Sequence, residues 1–386
     1  MGFVVDAEKG EFINKTTATA HFLFINTIIF VKKIFGLSSI MASKSVVVFF
    51  AALSVSTIFL IIHEITKKNF LSIIGAFIFG FSFSFWKNAE IVEVYTMNTF
   101  FVSVFILFVT KSLLSKNPKY LLFSALFLGI SLWVHVQNIL FFPAFIYLLY
   151  IFRDSKKQII FSVSILLVIF GALYIQPLVT GLPIKYVLKS GSWVEDSLKK
   201  PWKNYFFDIM KSILYLIYNF WFYLIFIIPG VIFAFKNYKD YLIFLMLGIL
   251  PIYGFATFYA VSDNYVFFIS SYISLVIFIS LGINTIQSHK FKKLIYFSTF
   301  LIPIFYVLSY QIAFKTKQGT EFDEFKNYKG GLKYYLYPWM NNNKGLLEFT
   351  INKEISTEKI PWMIISAKEF IKITEKKYTL EQLKKM

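Results

Sequence analysis

Three carboxylates near the amino terminus have the types and spacing that chemistry needs. Asp6, Glu8 and Glu11 lie within six residues of one another, and His21 follows them. Crowded carboxylates raise one another's pKa, which suits a general base or a ligand of a divalent metal ion. A solvated acidic segment without a catalytic role is the alternative. We therefore predict Asp6, Glu8 and Glu11 as catalytic candidates, with His21 beside them.

A second polar group interrupts two apolar runs at residues 85–98. Glu90 and Glu93 are three residues apart and share a face if this stretch is helical. An acid near the edge of a membrane is costly unless it is paired or functional. The alternatives are an ion pair with Lys87 and simple exposure to lipid headgroups. Glu90 and Glu93 are therefore substrate-binding candidates.

Two further breaks carry polar side chains. His135 and Asn138 stand between two long apolar runs, where they could hold a phosphate or a sugar, or form only a polar turn. Asp263 lies in another break, where it could hold an acceptor or cap a helix that begins at Asn264. His135, Asn138 and Asp263 complete the polar residues that need an explanation.

The elements that must position these residues are apolar runs of roughly 17–22 residues, long enough to cross a bilayer as helices. Backbone in lipid must satisfy its own hydrogen bonds, so helices are the natural form, and the ten-residue alternation of a barrel is absent. The predicted spans are about 45–62, 69–86, 97–113, 119–134, 136–152, 158–176, 214–235, 239–260, 264–285 and 293–314.

Positive charge assigns a side of the membrane to each break between the spans. Lysine-rich breaks alternate with breaks that carry almost no positive charge, which is the positive-inside pattern. The lysine-rich breaks are Lys67-Lys68, Lys111 to Lys119, Arg153 to Lys157, Lys236 to Lys239, and Lys290 to Lys293. The polar groups described above then share the outer side, where we expect them to converge on one cavity.

The composition excludes several classes of protein. Hydrophobic residues make up 57% of the chain and charged residues only 16%, far below the one-quarter typical of soluble proteins. The net charge of +18 lies mainly in turns and the tail, so we expect a lipid bilayer and no nucleic acid as partner. There is no cysteine and only four scattered histidines, so we predict no thiolate or His-rich metal site. No cofactor is certain, and a divalent metal ion remains a possible one.

Three regions follow from this pattern. Residues 1–44 form an extracytoplasmic acidic loop with a helix at 20–37 on the membrane surface, a poor first span being the alternative. Residues 45–314 form the multi-pass transmembrane domain. Residues 315–386 form an extracytoplasmic tail that is too small for an independent domain. The aromatic-rich loop 177–213 is expected at the membrane interface.

These residues also carry a resemblance to a known family. Residues 85–98 resemble an "FW-x-x-A-x-x-x-E-V-Y-x-L-N" signature, and Gly129 to His135 resembles "GLSLGNH". Glu8 to Phe12 resembles a "D-x-G-E-F" loop, Tyr259 to Phe268 resembles "Y-x-V-x-D-x-x-x-F", and Tyr334 to Pro338 resembles "Y-Y-L-W-P". The family is that of bacterial multi-pass membrane glycosyltransferases related to transmembrane protein 260, which are protein O-mannosyltransferase-like and of GT-C type.

The resemblance implies an all-α GT-C-like bundle of about ten transmembrane helices in the inner (cytoplasmic) membrane, with its active face extracytoplasmic. It implies transfer of a sugar, mannose-like, from a polyprenyl-phosphate carrier to a Ser/Thr hydroxyl of an exported protein or to a surface glycan. A carboxylate of the first outer loop is then the general base. The residues that it implies for substrate binding are His21, Glu93, Tyr95, Asn98, His135 and Asp263, to which the residue analysis adds Glu90 and Asn138.

Three departures from the family pattern leave alternatives open. Glu8 stands in the aspartate position, although Asp6 could substitute; His21 lacks the prolines that follow it in the family; and the family's first helix does not precede the acidic loop. We therefore expect a shortened chain that could keep the fold without the activity. A sugar-lipid transporter or flippase and a non-catalytic assembly subunit are the rival interpretations.

Overall fold

Apolar helices account for nearly all of the regular structure, as the bilayer requires. The structure, a computed structural model, describes residues 1–189, 191–261, 263–326, 330–339, 345–355 and 361–386, so Ser190 of the loop 177–213 and Ser262 of the loop 261–263 lie outside it. The described residues form α-helices and short 3₁₀ segments without a β-strand. The prediction of an all-α integral membrane protein is therefore confirmed.

Two helices precede the bundle and fifteen build it. They are α1 Gly2–Lys9, α2 Phe22–Phe35, α3 Ser39–Thr66, α4 Asn69–Gly80, α5 Phe83–Glu90, α6 Tyr95–Ser115, α7 Tyr120–Val134, α8 Phe142–Ile151, α9 Lys156–Ala172, α10 Ile175–Thr180, α11 Trp193–Leu198, α12 Trp202–Phe220, α13 Ile227–Asn237, α14 Lys239–Phe258, α15 Ile269–Thr285, α16 His289–Ser298 and α17 Ile302–Phe314. Five short helices follow: α18 Lys317–Phe325, α19 Gly331–Leu336, α20 Leu346–Ile351, α21 Pro361–Thr374 and α22 Leu380–Lys384.

The apolar helices follow the order of the ten spans predicted from hydropathy, and their number is roughly consistent with that prediction. Within the described residues, seven helices or nearly continuous helix pairs are long and apolar enough to cross a membrane. The pair α4 and α5, bent by 69°, forms either a broken span or a re-entrant loop, and Tyr120–Val134 and Val136–Ile151 are shorter apolar helices. The bend has a local cause, because the Ser82 hydroxyl donates to the Phe79 carbonyl at 2.7 Å and the chain restarts as α5.

Two of the lysine-rich breaks meet at one end of the bundle. The Lys68 ammonium, between α3 and α4, donates to the Asn284 side chain at the end of α15 at 2.7 Å. Lys292, in the following break, donates to the Asn284 backbone carbonyl at 3.5 Å. The alternate breaks, with the polar candidates, therefore lie at the other end.

The helix that follows the acidic loop is too short to cross a bilayer. Its 14 residues extend about 21 Å, against the roughly 30 Å of a hydrocarbon core. It buries Phe24, Ile28 and Ile29 against the bundle and exposes Phe30 and Phe35. The helix at 20–37 is thus present, and its position on a membrane surface stays a prediction.

The tail packs on the amino-terminal helix and not on itself alone. Val4 and Val5 of α1 form a buried cluster with Leu347, Ala367, Phe370 and Leu383. The first and last helices of the chain therefore support each other at the polar end of the bundle.

Two glycines allow a close contact between two helices of the bundle. A Cβ atom at Gly230 of α13 would overlap the Phe278 carbonyl oxygen, and one at Gly282 of α15 would overlap the Phe226 carbonyl oxygen. Small residues let helix backbones approach in this way within membranes. The contact holds α13 against α15, whose span is 94% buried and central in the bundle.

We expect Gly230→Ala and Gly282→Ala each to destabilise the fold by about 1–3 kcal/mol, because the added methyl group forces the two backbones apart. The matched control is Gly254→Ala in α14, where an added Cβ meets nothing within 4 Å. Thermal unfolding of the three variants in one detergent is the measurement. A Gly230→Ala variant that melts no lower than the control would contradict the close contact.

Candidate active site

A cavity of about 540 Å³ opens at the polar end of the bundle. Asp6, Glu11 and Glu93 line it together with Lys9 and Lys15. Its volume is within the range of small-molecule sites, and its partly apolar walls carry three carboxylates and two lysine ammonium groups. Two of the catalytic candidates and one binding candidate therefore share a single cavity.

Gly10, whose backbone is left-handed, lets the chain turn so that Glu11 lines this cavity. Gly10 ends α1 with φ 72°, and its N–H donates to the Asp6 carbonyl at 3.2 Å. Glycine adopts this conformation without a steric cost, so the chain can reverse directly after the helix. Asp6 and Glu11 are consequently placed on walls of the same cavity.

A single asparagine fixes the loop that carries Glu11. The Ile13 N–H donates to the Asn26 side-chain oxygen at 2.8 Å, and the Asn26 amide donates back to the Ile13 carbonyl at 2.9 Å. Further along the loop, the Thr16 hydroxyl donates to the Leu173 carbonyl at 2.6 Å. The loop is thus tied both to α2 and to the end of α9.

Glu8 faces away from the cavity and is held by lysines from two other elements. Its carboxylate is buried, 3.2 Å from the Lys32 ammonium of α2 and in contact with the Lys377 ammonium of the tail. Burial by itself would raise the Glu8 pKa, but hydrogen bonds from Lys377, Ser39 and Lys32 outweigh it and the pKa is lowered. Glu8 is therefore a charged residue that holds the C-terminal end of α1 to α2 and the tail.

Asp6 has the opposite electrostatic setting. Burial raises its pKa, and the charge of Lys9 only partly offsets this. Asp6 and Glu8 are two residues apart on one helix, so they project in different directions and meet different surroundings.

Glu93 lies in the loop between α5 and α6 and is half-buried. Because α5 ends at Glu90, the shared helical face expected for Glu90 and Glu93 does not form. Burial raises the pKa of Glu93 to about 7, and the negative charge of Asp263 adds to the shift. Asp263 is exposed, and although it occupies the position before the 3₁₀ turn Asn264–Phe268, its side chain makes no capping hydrogen bond.

Glu90 points out of the site. It is exposed, and its carboxylate accepts a hydrogen bond from the Trp86 indole N–H at 3.2 Å. Lys87 is buried and lies 3.7 Å from the centre of the Tyr334 ring, which joins α5 to the tail. The chain thus uses Lys87 to hold residues of the tail against the bundle.

The two histidines form a neutral pair directly behind the cavity. The His21 and His135 rings are 5.4 Å apart, and His21 also contacts Phe3, which lines the cavity. Burial lowers the pKa of both rings, that of His135 to about 3, so neither carries charge near neutral pH. Tyr95 packs on His135 from the other side at 5.8 Å.

Their hydrogen bonds assign complementary tautomers. His21 Nδ1 lies 3.1 Å from the Val134 carbonyl and must donate to it, which leaves Nε2 as an acceptor. His135 Nδ1 accepts the Gln137 N–H at 3.2 Å, which leaves its proton on Nε2. The backbone of His21 is itself left-handed, with φ 47°, at the turn into α2.

Asn98 and Asn138 are buried within the bundle and bond to each other. The Asn138 amide donates to the Asn98 oxygen at 2.6 Å and to the Ser131 carbonyl at 3.0 Å. The Asn98 amide donates to the Ser270 hydroxyl at 3.2 Å. This network joins α6, α7 and α15 next to His135, so it supports the bundle on which the site is built.

The described residues contain no group of three or more His, Asp or Glu side chains arranged to hold a metal ion. Lys9 and Lys15 supply side-chain ammonium groups to the cavity. A divalent metal ion stays an expectation from the sequence.

Four residues that build the site or support it carry no prediction from the sequence. Lys9 and Lys15 line the cavity, Lys32 pairs with Glu8, and Asn26 orders the loop. Asn26 and Lys32 carried a signal, because each is a polar residue inside the otherwise apolar stretch of α2. A polar side chain in such a stretch needs a partner, and the acidic loop is the nearest source of one.

Comparison with known proteins agrees with the predicted family. Residues 15–159 match the family model described as the N-terminal domain of protein O-mannosyl-transferase TMEM260, so the resemblance is confirmed for this part of the chain. No curated protein matches the sequence.

The fold is similar to that of a solved glycosyltransferase. The chain superposes on ArnT from Cupriavidus metallidurans in the apo state with a TM-score of 0.61 and 10% identity, covering 99% of this chain and 71% of ArnT. The TM-score is 0.57, with the same identity and coverage, for ArnT bound to undecaprenyl phosphate. ArnT is a GT-C glycosyltransferase, and the predicted GT-C-like fold is thereby confirmed.

The raised pKa of Glu93 predicts a pH-dependent stability difference. The folded state binds the Glu93 proton more tightly than the unfolded state, so this group destabilises the fold increasingly as pH rises from about 4.5 through 7. We expect Glu93→Gln to gain stability relative to the parent over that range, by up to about 3 kcal/mol, and to show no such gain at pH 4. Thermal unfolding of both proteins from pH 4 to 8 is the measurement, and a difference that is constant with pH would refute the shift.

Removal of the Asn26 side-chain amide should loosen the acidic loop. We expect Asn26→Leu, which keeps the size, to speed hydrogen exchange of the Ile13 amide by about 10- to 100-fold, because that donor loses its partner. Thr27→Val is the control, since the Thr27 hydroxyl bonds only within its own helix, to the Leu23 carbonyl. Equal exchange in the two variants would show that Asn26 does not order the loop.

Proposed function

We propose that this chain, with its GT-C-like fold and TMEM260-like amino-terminal region, is a membrane glycosyltransferase that uses a polyprenyl-phosphate sugar. The observation that carries the proposal is the cavity lined by Asp6, Glu11 and Glu93 with Lys9 and Lys15. The cavity lies at the end of the bundle opposite to the lysine-rich breaks. The positive-inside pattern assigns this end to the outer face. The donor fits the chemistry of the cavity and the lipid bound by ArnT.

Glu11 is the best-placed general base. It lines the cavity on an exposed loop, whereas Glu8 is buried and engaged by two lysines. A carboxylate that already neutralises two ammonium groups is a poor proton acceptor, so the assignment passes from Glu8 to Glu11, with Asp6 on the neighbouring wall. An acceptor Ser or Thr hydroxyl, or a hydroxyl of a surface glycan, would give its proton to Glu11.

The reaction would then be a direct displacement. The acceptor oxygen attacks the anomeric carbon of the sugar as its proton moves to Glu11, and the bond from that carbon to the phosphate oxygen breaks. The polyprenyl phosphate leaves with the electron pair. No covalent sugar–enzyme intermediate is required.

The leaving phosphate needs positive charge, and the lysines of the cavity can supply it. Lys9 and Lys15 are the ammonium groups on its walls. His135 is neutral, so its contribution is confined to hydrogen bonding through the Nε2–H. Lysine acts here as a point charge, without the two-pronged geometry of arginine.

Glu93 and Tyr95 are the candidates for orienting the sugar. Glu93 lines the cavity, and with a pKa of about 7 it can accept or donate a hydrogen bond to a sugar hydroxyl near neutral pH. Tyr95 begins α6 next to it and packs on His135. A mannose-like sugar, an exported protein or glycan as acceptor, and the inner membrane as location belong to the same proposal.

The base assignment predicts that Glu11→Gln lowers the transfer rate by at least about 10²-fold while the melting temperature stays within a degree or two of the parent. Glu64→Gln, at the lysine-rich end of the bundle, is the matched control and should retain full activity. The assay is transfer of labelled sugar from polyprenyl phosphate to peptide and glycan acceptors by purified protein. Full activity of Glu11→Gln and of the Asp6→Asn/Glu11→Gln double variant would refute the assignment. Movement of the lipid-linked sugar across vesicles without transfer would favour a flippase.

A further inference from the structure

Helix α1 has two faces with different tasks. Phe3, Asp6 and Lys9 recur every three residues and line the cavity. Val4 and Glu8, four residues apart, lie on the opposite face and are buried. The width of one helix therefore separates the cavity from the buried side chains that hold α1 in place.

The tail covers the second face with apolar side chains. Val4 and Val5 are 4% and 3% exposed, in a cluster with Ala367, Phe370 and Leu383 of α21 and α22. The three tail residues follow the transmembrane bundle in the sequence and lie outside residues 15–159, which match the family model.

Ion pairs fix the position of α1 on the tail, which the apolar contact alone would not determine. The Glu8 carboxylate bridges Lys32 of α2 and Lys377 of the tail, and its side chain is only 3% exposed. On the cavity side, Lys9 pairs with Glu369 of α21 at 2.7 Å. An apolar patch tolerates sliding, whereas a buried carboxylate with two ammonium partners has one favourable position.

Lys32 also caps the end of α1 that leads to Glu11. Its ammonium donates to the backbone carbonyls of Ala7 at 2.8 Å and Glu8 at 3.1 Å. A cation at the last carbonyls of a helix satisfies groups that have no partner within the helix and complements its dipole. Gly10 and Glu11 follow directly, so the cap determines where the loop begins.

We infer that Glu8 is a positioning residue and that the C-terminal segment, through Lys377 and Glu369, sets the position of Asp6 and Glu11 in the cavity. The tail then contributes to the geometry of the site, although none of its described residues lines the cavity. The effect on transfer rests on the proposed function, whereas the effect on the position of α1 does not.

Hydrogen exchange of the amino-terminal peptide tests the positioning without any assay of activity. We expect Lys377→Met to speed exchange of the α1 and Glu11 amides by about tenfold, with the transmembrane helices unchanged. Lys376→Met is the matched control, since Lys376 is the exposed neighbour, and Lys377→Arg should stay close to the parent. Exchange in Lys377→Met equal to that in Lys376→Met overturns the inference.

Glu8→Gln provides a second variant from the other side of the pair. It should speed exchange of α1 by at least as much as Lys377→Met, and the double variant should add little, because both changes break the same interaction. Additive effects in the double variant would show that the two residues act separately and would overturn the pairing.

Transfer kinetics show whether the position matters for catalysis. We expect Lys377→Met to lower kcat about tenfold with little change in the KM of the donor, and Lys377→Arg to restore it. Faster exchange with an unchanged kcat would overturn the functional part of the inference. Absence of transfer by the parent protein with all donors would contradict the proposed function, and the exchange result would still decide the positioning of α1.

Discussion

The structure depends on one constraint: in a bilayer the backbone must bond to itself, so this chain can place irregular, reactive segments only at the ends of its helices. The spans themselves bury mostly Ser, Thr and Asn as polar side chains, and many of these bond to nearby carbonyls or to each other. The candidate carboxylates Asp6, Glu11 and Glu93 are gathered at one end, around the cavity. Short connections keep successive helices adjacent, and this brings loops from distant parts of the sequence into one cavity.

Within that cavity and its walls, similar groups are given different tasks by their surroundings. Glu8 is held ionised by lysines, whereas burial raises the pKa of Asp6 and of Glu93. The two histidines are kept neutral by burial and receive opposite tautomers from backbone partners. Environments that push the pKa values of like groups apart are a general means of assigning acid and base roles within one site. The lysines provide the positive charge that the histidines do not carry.

The sequence predicted the membrane part well and the site only in part, for physical reasons. Apolar runs and alternating lysines are local signals, so the order of the apolar helices and roughly their number were predicted, and Asp6, Glu11 and Glu93 were found as candidates. The pairing of Glu8 with Lys377 joins residues 369 positions apart, and no local pattern encodes such a contact. Helix-like spacing suggested a shared face for Glu90 and Glu93, but α5 stops at Glu90 and the next residues turn into a loop. Asn98 and Asn138 were read as ligands of a substrate, and the structure places them in a buried network between helices.

The meeting of α1 with the tail has a consequence for biosynthesis. A ribosome adds about 5–20 residues per second, so Glu8 emerges roughly 20–70 s before Lys377 has been made. During that interval the nascent chain inserts its helices while α1 lacks the tail helices on which it packs, and the carboxylate of Glu8 stays hydrated. The support of α1 is completed only after Lys377 has been made, so a product truncated before this residue would carry the loops of the cavity without that support.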